Sequence, residues 1–454
     1  VAGRSFAMTP RAVPKVRTKY RRIVTRIPAP ASLAVLKELR AYEPISMTGQ
    51  PPILWDHAEG VQVYDNAGNM WLDWSSGVLV TGAGHGRKEI VDAICAQAKK
   101  KLLHNYCFPS AERARLAHRL VEIAPRKLAK AFLLTTGAET TECAIKLMRT
   151  HGIKVGGRKK IGIISFERAF HGRTLGAQQI GGGGKEWIVN LDKDIFQVPF
   201  PDGFWNEDIS FSSFLKRLKK LGRTPSTIAG VILETYQGHG ASFAPKAYMQ
   251  QLAKWCAKQK IVLTCDEVQA GFGRTGKLFG FEHYGIVPDL ACFGKGISSS
   301  LPISAVLGRK DLMDLYPAGS MTSTHTGSPV PAAAALANID ILMKEKLWIN
   351  AAKVGAVMQK EFLKLQKRFP SRIGSVQGKG MVWGLHMTNG HKKADFDLAF
   401  RVVERCMENG LLMFAPVGAC TIKICPPLIT TREQALEGCK VLAEALEEVL
   451  AERG

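Results

Sequence analysis

Two apolar runs each deliver one polar residue able to do chemistry: Asp266 follows Ile261–Cys265, and Lys295 follows Asp289–Gly294. A lysine amine can condense with a carbonyl group. The flanking Gly294 and Gly296 leave backbone room for a bulky planar group to approach it. An aspartate paired to a pyridine-type nitrogen keeps that nitrogen protonated, which makes the ring an electron sink. Each residue alone has a plainer reading, because a lysine between glycines is usually a loop charge and Asp266-Glu267 a helix cap. What makes the combination specific is the stretch between them, with Gln269, Gly271, Gly273 and Arg274-Thr275-Gly276.

Three further segments carry candidate groups. Thr135-Thr136-Gly137-Ala138-Glu139 lies between an apolar run and a helical pattern, and a glycine turn opening a helix exposes N–H groups that suit a phosphate. Many β–α turns share that look. In Ser165–Thr174, Phe170 beside Gly172 can lie flat on a heteroaromatic ring or simply fill the core. Arg173 offers a fork that fits a carboxylate, and His171 is either a ring neighbour or a packed loop histidine. Thr322–Pro329 reads as a Ser/Thr-rich turn.

These groups need a scaffold that gathers them. Apolar runs recur at Ala131–Leu134, Ile161–Ile164, Ile228–Leu233, Ile261–Thr264, Leu290–Phe293 and Ile303–Leu307. Helical patterns such as Thr140–Arg149 and Tyr248–Lys258 lie between them. Continuous apolar strands alternating with helices imply an α/β fold whose mostly parallel sheet is covered on both faces. Ligands of such sheets bind outside the carboxyl ends of the strands, where Asp266 and Lys295 fall. Before this region, Ile53–Trp55, Val61–Tyr64 and Met70–Leu72 suggest a small meander, and Ser32 looks like the N-cap of a helix over Leu33–Arg40. Beyond Leu336 the pattern is helical, with short strands expected at Val382–Leu385 and Thr421–Ile424. The resulting expectation is an N-terminal arm and part of a small domain over 1–76, a large domain over 77–344, and a C-terminal small α+β domain over 345–454.

The stretch Val262–Ile297 resembles the signature of class III aminotransferases, the family of the 4-aminobutyrate, ornithine and acetylornithine enzymes. The resemblance runs from about Leu54 to Leu428. It implies a fold-type-I enzyme dependent on pyridoxal 5′-phosphate (PLP), with a seven-stranded large domain, acting as a homodimer whose active site lies at the subunit interface. By that resemblance Lys295 is the Schiff-base lysine, Asp266 the partner of the ring nitrogen, and Gln269 a neighbour of the ring oxygen. Gly137 and Ala138 give N–H groups to the phosphate, Phe170 covers the ring, and His171 lies beside the cofactor. Thr324 reaches the other subunit's phosphate, although the usual Gly-Gly-Asn-Pro reads Thr-Gly-Ser-Pro here. Arg173 matches the arginine that binds a distal carboxylate, and Glu234 a glutamate that pairs with a C-terminal arginine in several relatives. Lys423 stands at that arginine's place, a point charge instead of a fork, which puts ordinary 2-oxoglutarate recognition in doubt. Val80, with Trp74 and Tyr106, either lines the pocket or belongs to the core.

Composition sets bounds on this reading. The 454 residues are 46% hydrophobic and 22% charged, as in ordinary globular chains, and no apolar stretch is long enough for a membrane helix. Ten cysteines stand singly, with no C-x-x-C pair, which points to reduced thiols in a cytoplasmic enzyme and gives no metal site. Of the net charge of +23, residues 1–40 carry ten Lys/Arg against the single acid Glu38. That arm also looks like an organelle transit peptide, and the charge invites a nucleic-acid reading, but no nucleic-acid motif accompanies it. The expected activity is transfer of an ω- or β-amino group to a 2-oxo acid by a ping-pong route. A β-aminoacyl-CoA donor, or a racemase, aminomutase or dialkylglycine-type decarboxylase on the same scaffold, are the alternatives.

Overall fold

Segments apolar at every position, rather than at alternate ones, form strands buried on both faces. In the computed structural model, which describes residues 5–390 and 392–453, five such segments and two less buried edge strands make one sheet. Arg4 of the basic arm lies outside the described residues. The strands are β1 (Lys130–Leu134), β2 (Gly162–Phe166), β3 (Ile195–Val198), β4 (Ile228–Glu234), β5 (Val262–Asp266), β6 (Leu290–Phe293) and β7 (Ser304–Gly308). Their order across the sheet is β1-β7-β6-β5-β4-β2-β3. Only β7 runs against the others, antiparallel to both β6 and β1. The remaining neighbours are parallel, so β1, β2, β4, β5 and β6 all present their carboxyl ends at one edge. Register places Asp266 beside Glu234 on one side and Cys292 on the other.

The chain divides into two compact units, Lys88–Lys346, which holds this sheet, and Val1–Arg87 with Leu347–Gly454. Within the first, helix α1 (Gly137–Gly156) buries Cys143, Ala144, Leu147 and Met148 against Ile163, Ile232 and Val306 of the strands. The helix comes unusually close to the sheet at Gly152. A Cβ there would lie 2.1 Å from the Lys160 carbonyl oxygen and 2.6 Å from the Ala229 Cβ. Gly152→Ala is therefore expected to destabilise the protein by about 1–3 kcal/mol, since overpacking must push a helix off the sheet. Denaturant titration of the variant measures it.

The second unit has a six-stranded sheet in the order Val16–Arg17, Arg22–Ile23, Met70–Asp73, Gln62–Tyr64, His57–Glu59, with Leu411–Leu412 added parallel to Met70–Asp73. The Trp71 indole donates to the Met407 carbonyl at 2.8 Å, which ties the two ends of the chain within this unit. A three-stranded antiparallel sheet (Ile373–Lys379, Val382–Met387, Thr421–Ile424) and the helices Leu347–Arg368, Phe396–Glu408 and Arg432–Ala451 complete it.

Several local expectations are corrected. Ile53–Trp55 is not a strand: Pro51-Pro52 precede it, and Ile53 N–H turns back to the Pro51 carbonyl. The basic arm supplies two short paired strands, Val16–Arg17 and Arg22–Ile23. Ser32 precedes the helix Leu33–Tyr42 but its hydroxyl donates back to Ala29 at 2.7 Å and does not cap it. Strands β3 and Ile373–Lys379 had no counterpart in the apolar pattern.

Candidate active site

The β1–α1 turn is built by a reciprocal cap. Thr136 Oγ1 accepts from the Glu139 N–H at 3.3 Å, and Glu139 Oε2 accepts from the N–H groups of Thr136 at 2.7 Å and Thr135 at 3.0 Å. Ser304 on β7 adds a bond from its hydroxyl to the Thr136 carbonyl at 2.8 Å. With those donors used, the N–H groups of Gly137 and Ala138 find no acceptor among the described residues. They stand at the N-terminus of a 20-residue helix, where the macrodipole favours an anion.

Lys295 follows β6 after a single residue, Gly294. A Cβ on Gly294 would lie 3.7 Å from the Gly137 nitrogen and 3.4 Å from Val268 Cγ1, so the lysine's neighbour packs against the same helix end. Asn338 holds this loop from behind, donating to the carbonyls of Gly296 at 2.8 Å and Ile297 at 2.9 Å. Lys295 itself has a φ of 43°, the left-handed region that costs a non-glycine residue energy and clusters at functional sites. Burial pushes its amine below the ordinary lysine range, while the nearby Asp266 and Glu234 carboxylates push it back up. Less of the amine is therefore protonated than in a free lysine, as a nucleophile requires.

Asp266, buried at the end of β5, accepts from the Val268 N–H through Oδ1 at 3.0 Å and meets His171 Nδ1 through Oδ2 at 2.7 Å. His171 is thus more than a packed loop residue, because it bonds directly to the candidate aspartate. Phe170, the residue before it, donates its N–H to Glu234 Oε2 at 3.0 Å, and Gly238 N–H donates to Glu234 Oε1 at 2.9 Å. Gln237 Nε2 reaches the Glu167 carbonyl at 2.7 Å and His239 Nδ1 lies 3.1 Å from the Arg168 carbonyl, so the loops after β2 and β4 are stitched side by side. The Gln269 amide and the Glu234 carboxylate crowd Gly238, where a Cβ would meet them at 2.5 and 2.8 Å. The exposed Arg173 guanidinium lies over the Phe170 ring, 5.6 Å from its centroid.

The structure therefore brings together Gly137, Ala138, Phe170, His171, Arg173, Glu234, Asp266, Gln269 and Lys295. Thr324 is exposed in the turn before Pro329, and among the described residues no hydrogen bond ties it to this cluster. Val80 and Lys423 belong to the other unit. Val80 follows a left-handed turn in which Ser76, Gly77, Val78 and Leu79 all have φ between 50° and 66°, a conformation costing roughly 1–2 kcal/mol per non-glycine residue. Asp73 braces that turn, accepting from Ser75 N–H at 2.7 Å and pairing with His85 at 2.7 Å. Lys423 is buried on the strand Thr421–Ile424 opposite Gly384, and Trp74 is in the core. Sequence reasoning missed Val268, whose side chain packs against both Gly137 and Gly294, and its only signal was a position two residues past Asp266.

Two buried acids give the site's unit a pH signature. Burial raises the Glu267 carboxyl to about 7, against the Gly280 and Phe281 N–H groups that bond it. Burial likewise raises Glu234 to about 7. Both are above the ordinary value of 4.5, so between 4.5 and 7 the folded state holds protons that the unfolded state releases. Stability from these groups is present below that window and is lost as pH rises through it. The Tm of the apoprotein is expected to fall between about pH 5 and about pH 8, with a shallower fall in Glu267→Gln, as calorimetry across that range would register.

The residues fit PLP: a basic amine, a buried carboxylate for a ring nitrogen, and two unpartnered N–H groups for a phosphate. The sequence profile of the family described as Aminotransferase class-III matches residues 45–446. The chain belongs to the class-III aminotransferases. This aminotransferase is 31% identical over 449 residues to the 4-aminobutyrate aminotransferase of Mycobacterium leprae, covering 94% of the chain and 98% of that protein. It is 28% identical to the alanine/serine racemase of Pyrococcus horikoshii, over 98% and 96% of the two chains. Among solved structures, a transaminase from the marine bacterium Virgibacillus superposes with a TM-score of 0.84 at 26% identity, over 93% of this chain and 100% of that one. A PLP-bound amine transaminase from an uncultivated Pseudomonas gives 0.81 at 27% identity, over 88% and 95%. The aminotransferase is a fold-type-I, PLP-dependent enzyme. Among its described residues, no helix is long and apolar enough to cross a membrane.

Proposed function

We propose that this enzyme moves an amino group from an ω- or β-amino substrate to a 2-oxo acid, in two alternating half-reactions at one site. The observation that carries the reading is the Lys295 amine, held below the ordinary lysine range by burial and set beside Asp266 and the open end of α1. When bound, PLP supplies the electron sink that stabilises negative charge on the substrate carbon. In this reading Lys295 would hold the cofactor covalently through Nζ, and its free amine would carry the proton to and from the substrate carbon. Asp266 keeps the ring nitrogen protonated, Gly137 and Ala138 N–H groups hold the phosphate, Phe170 covers the ring, and Gln269 meets the ring oxygen. Arg173 receives a distal carboxylate: its guanidinium is exposed and already lies over Phe170. Glu234, held by the Phe170 and Gly238 N–H groups, shapes the other end of the substrate.

The same reading takes the enzyme as a homodimer in which Thr324 serves the second subunit's phosphate, in keeping with its exposure. It is placed in the cytoplasm, in keeping with ten free cysteines. The similarity to a 4-aminobutyrate aminotransferase favours an ω-amino donor, and the similarity to an alanine/serine racemase makes racemisation the reading to set against it. A panel of donors tests this, each scored for loss of the visible cofactor band in the absence of acceptor. ω-Amino acids should bleach it. Racemised alanine or serine without bleaching would overturn transamination, and bleaching by β-aminoacyl-CoA alone would replace the free amino acid as donor.

A further inference from the structure

The contact between His171 and Asp266 takes no part in the steps above. His171 lies on the loop after β2, and Asp266 ends β5, 95 residues further on. The histidine side chain has no exposed surface, its Nδ1 lies 2.7 Å from Asp266 Oδ2, and its Nε2 has no hydrogen-bond partner. A carboxylate only accepts, so Nδ1 carries a proton. The imidazole is itself fixed. Its residue's carbonyl accepts from Thr141 Oγ1 on α1 at 2.9 Å, and the next residue, Gly172, packs so closely that a Cβ would lie 2.7 Å from the Ala138 Cβ. Asp266 is therefore gripped from two sides, by a main-chain N–H within its own turn and by a side chain anchored to the helix that carries Ala138.

A residue that merely filled this space would be better served by an apolar side chain, because burying the unpartnered Nε2 carries a cost that only the bond to the candidate aspartate offsets. We propose that His171 is a positioning residue: it fixes the Asp266 carboxylate toward the ring nitrogen of PLP and locks that carboxylate to the helix end assigned to the phosphate. This rests on the reading of Asp266 given under Proposed function. Two further titratable groups lie near the pair, Glu234 and Lys295. Burial opposes an imidazolium at His171, but the Asp266 bond and the charges of Asp266 and Glu234 outweigh it and raise the histidine above its ordinary value. The positioning device thus also shares the charge that Asp266 would otherwise carry alone.

The test compares His171→Leu, which keeps bulk and removes the donor, with His171→Asn, which keeps an N–H near the Nδ1 position. Two quantities are read on the purified chain: the affinity of the apoenzyme for PLP, and the pH midpoint of the visible band of the holoenzyme. His171→Leu should weaken PLP by roughly tenfold, as loss of an outer-shell partner does elsewhere, and shift the midpoint, while His171→Asn restores most of both. A folded His171→Leu with wild-type affinity and midpoint overturns the proposal. Should that variant fail to fold, His171→Gln replaces it, since its longer arm misplaces the N–H; equality of Gln, Asn and wild type then overturns it. Asp266→Asn is run alongside. If it too leaves affinity and spectrum unchanged, the reading of Asp266 itself has failed, whereas a response to Asp266→Asn without one to His171→Leu sinks only the role of His171.

Discussion

Replacing Lys295 by alanine is expected to cut turnover by about 10³-fold or more, the loss associated with removing a positioned acid–base group together with a covalent attachment. The visible band should move to that of free cofactor, and amino donors should no longer bleach it. Lys295→Arg should fail in the same way, because a guanidinium keeps the charge but neither condenses with an aldehyde nor gives up its proton. Folding should not suffer. The lysine's folded value lies below the 10.5 of an exposed amine, so at neutral pH burying its ammonium works against the folded state. The apoprotein of Lys295→Ala is thus expected to melt no lower than the wild type. A variant that kept both turnover and the band would remove Lys295 from the chemistry.

The second large effect is expected at Asp266. Asp266→Asn keeps an oxygen for the Val268 N–H but removes the negative charge that holds a ring proton. The carboxylate's interaction grows as charge develops on the substrate, so the loss should fall on kcat, by on the order of 10²–10³-fold, with little change in KM. The substitution also confronts His171 with an uncharged partner. Steady-state kinetics with a saturating donor decide it: an equal rise in KM at constant kcat would mean that Asp266 contributes only uniform binding.

The strands that hold these residues were largely readable, because β2, β4, β5, β6 and β7 are buried on both faces and so are apolar at nearly every position, and the edge strand β1 keeps the apolar run Ala131–Leu134. β3 escaped because its four residues include the polar Gln197 and Ile195–Gln197 are only half-buried, which leaves no continuous apolar run. The two-residue strands of the basic arm are too short to show a period, and Ile53–Trp55 showed one without having a partner. In the site, the residues at strand ends could be named in advance, since a strand's carboxyl end fixes where the next residue goes. Their mutual bonds could not. Nothing in the sequence pairs His171 with Asp266, or aims the Phe170 and Gly238 N–H groups at Glu234, because those contacts depend on which strands are neighbours. The left-handed turn over Ser76–Leu79 is equally silent, because only one of its four residues is a glycine.

The pairing of Leu411–Leu412 with Leu72–Asp73 has a consequence during synthesis on the ribosome. The stretch Lys88–Lys346 is continuous and can assemble its sheet as soon as it has emerged. The other unit cannot, because Trp71 must wait for Met407, 336 residues later. At ordinary elongation rates that delay is on the order of tens of seconds, during which Met70–Asp73 has an open edge. Nascent chains halted before Leu411 should therefore contain a protease-resistant insert flanked by a cleavable first segment.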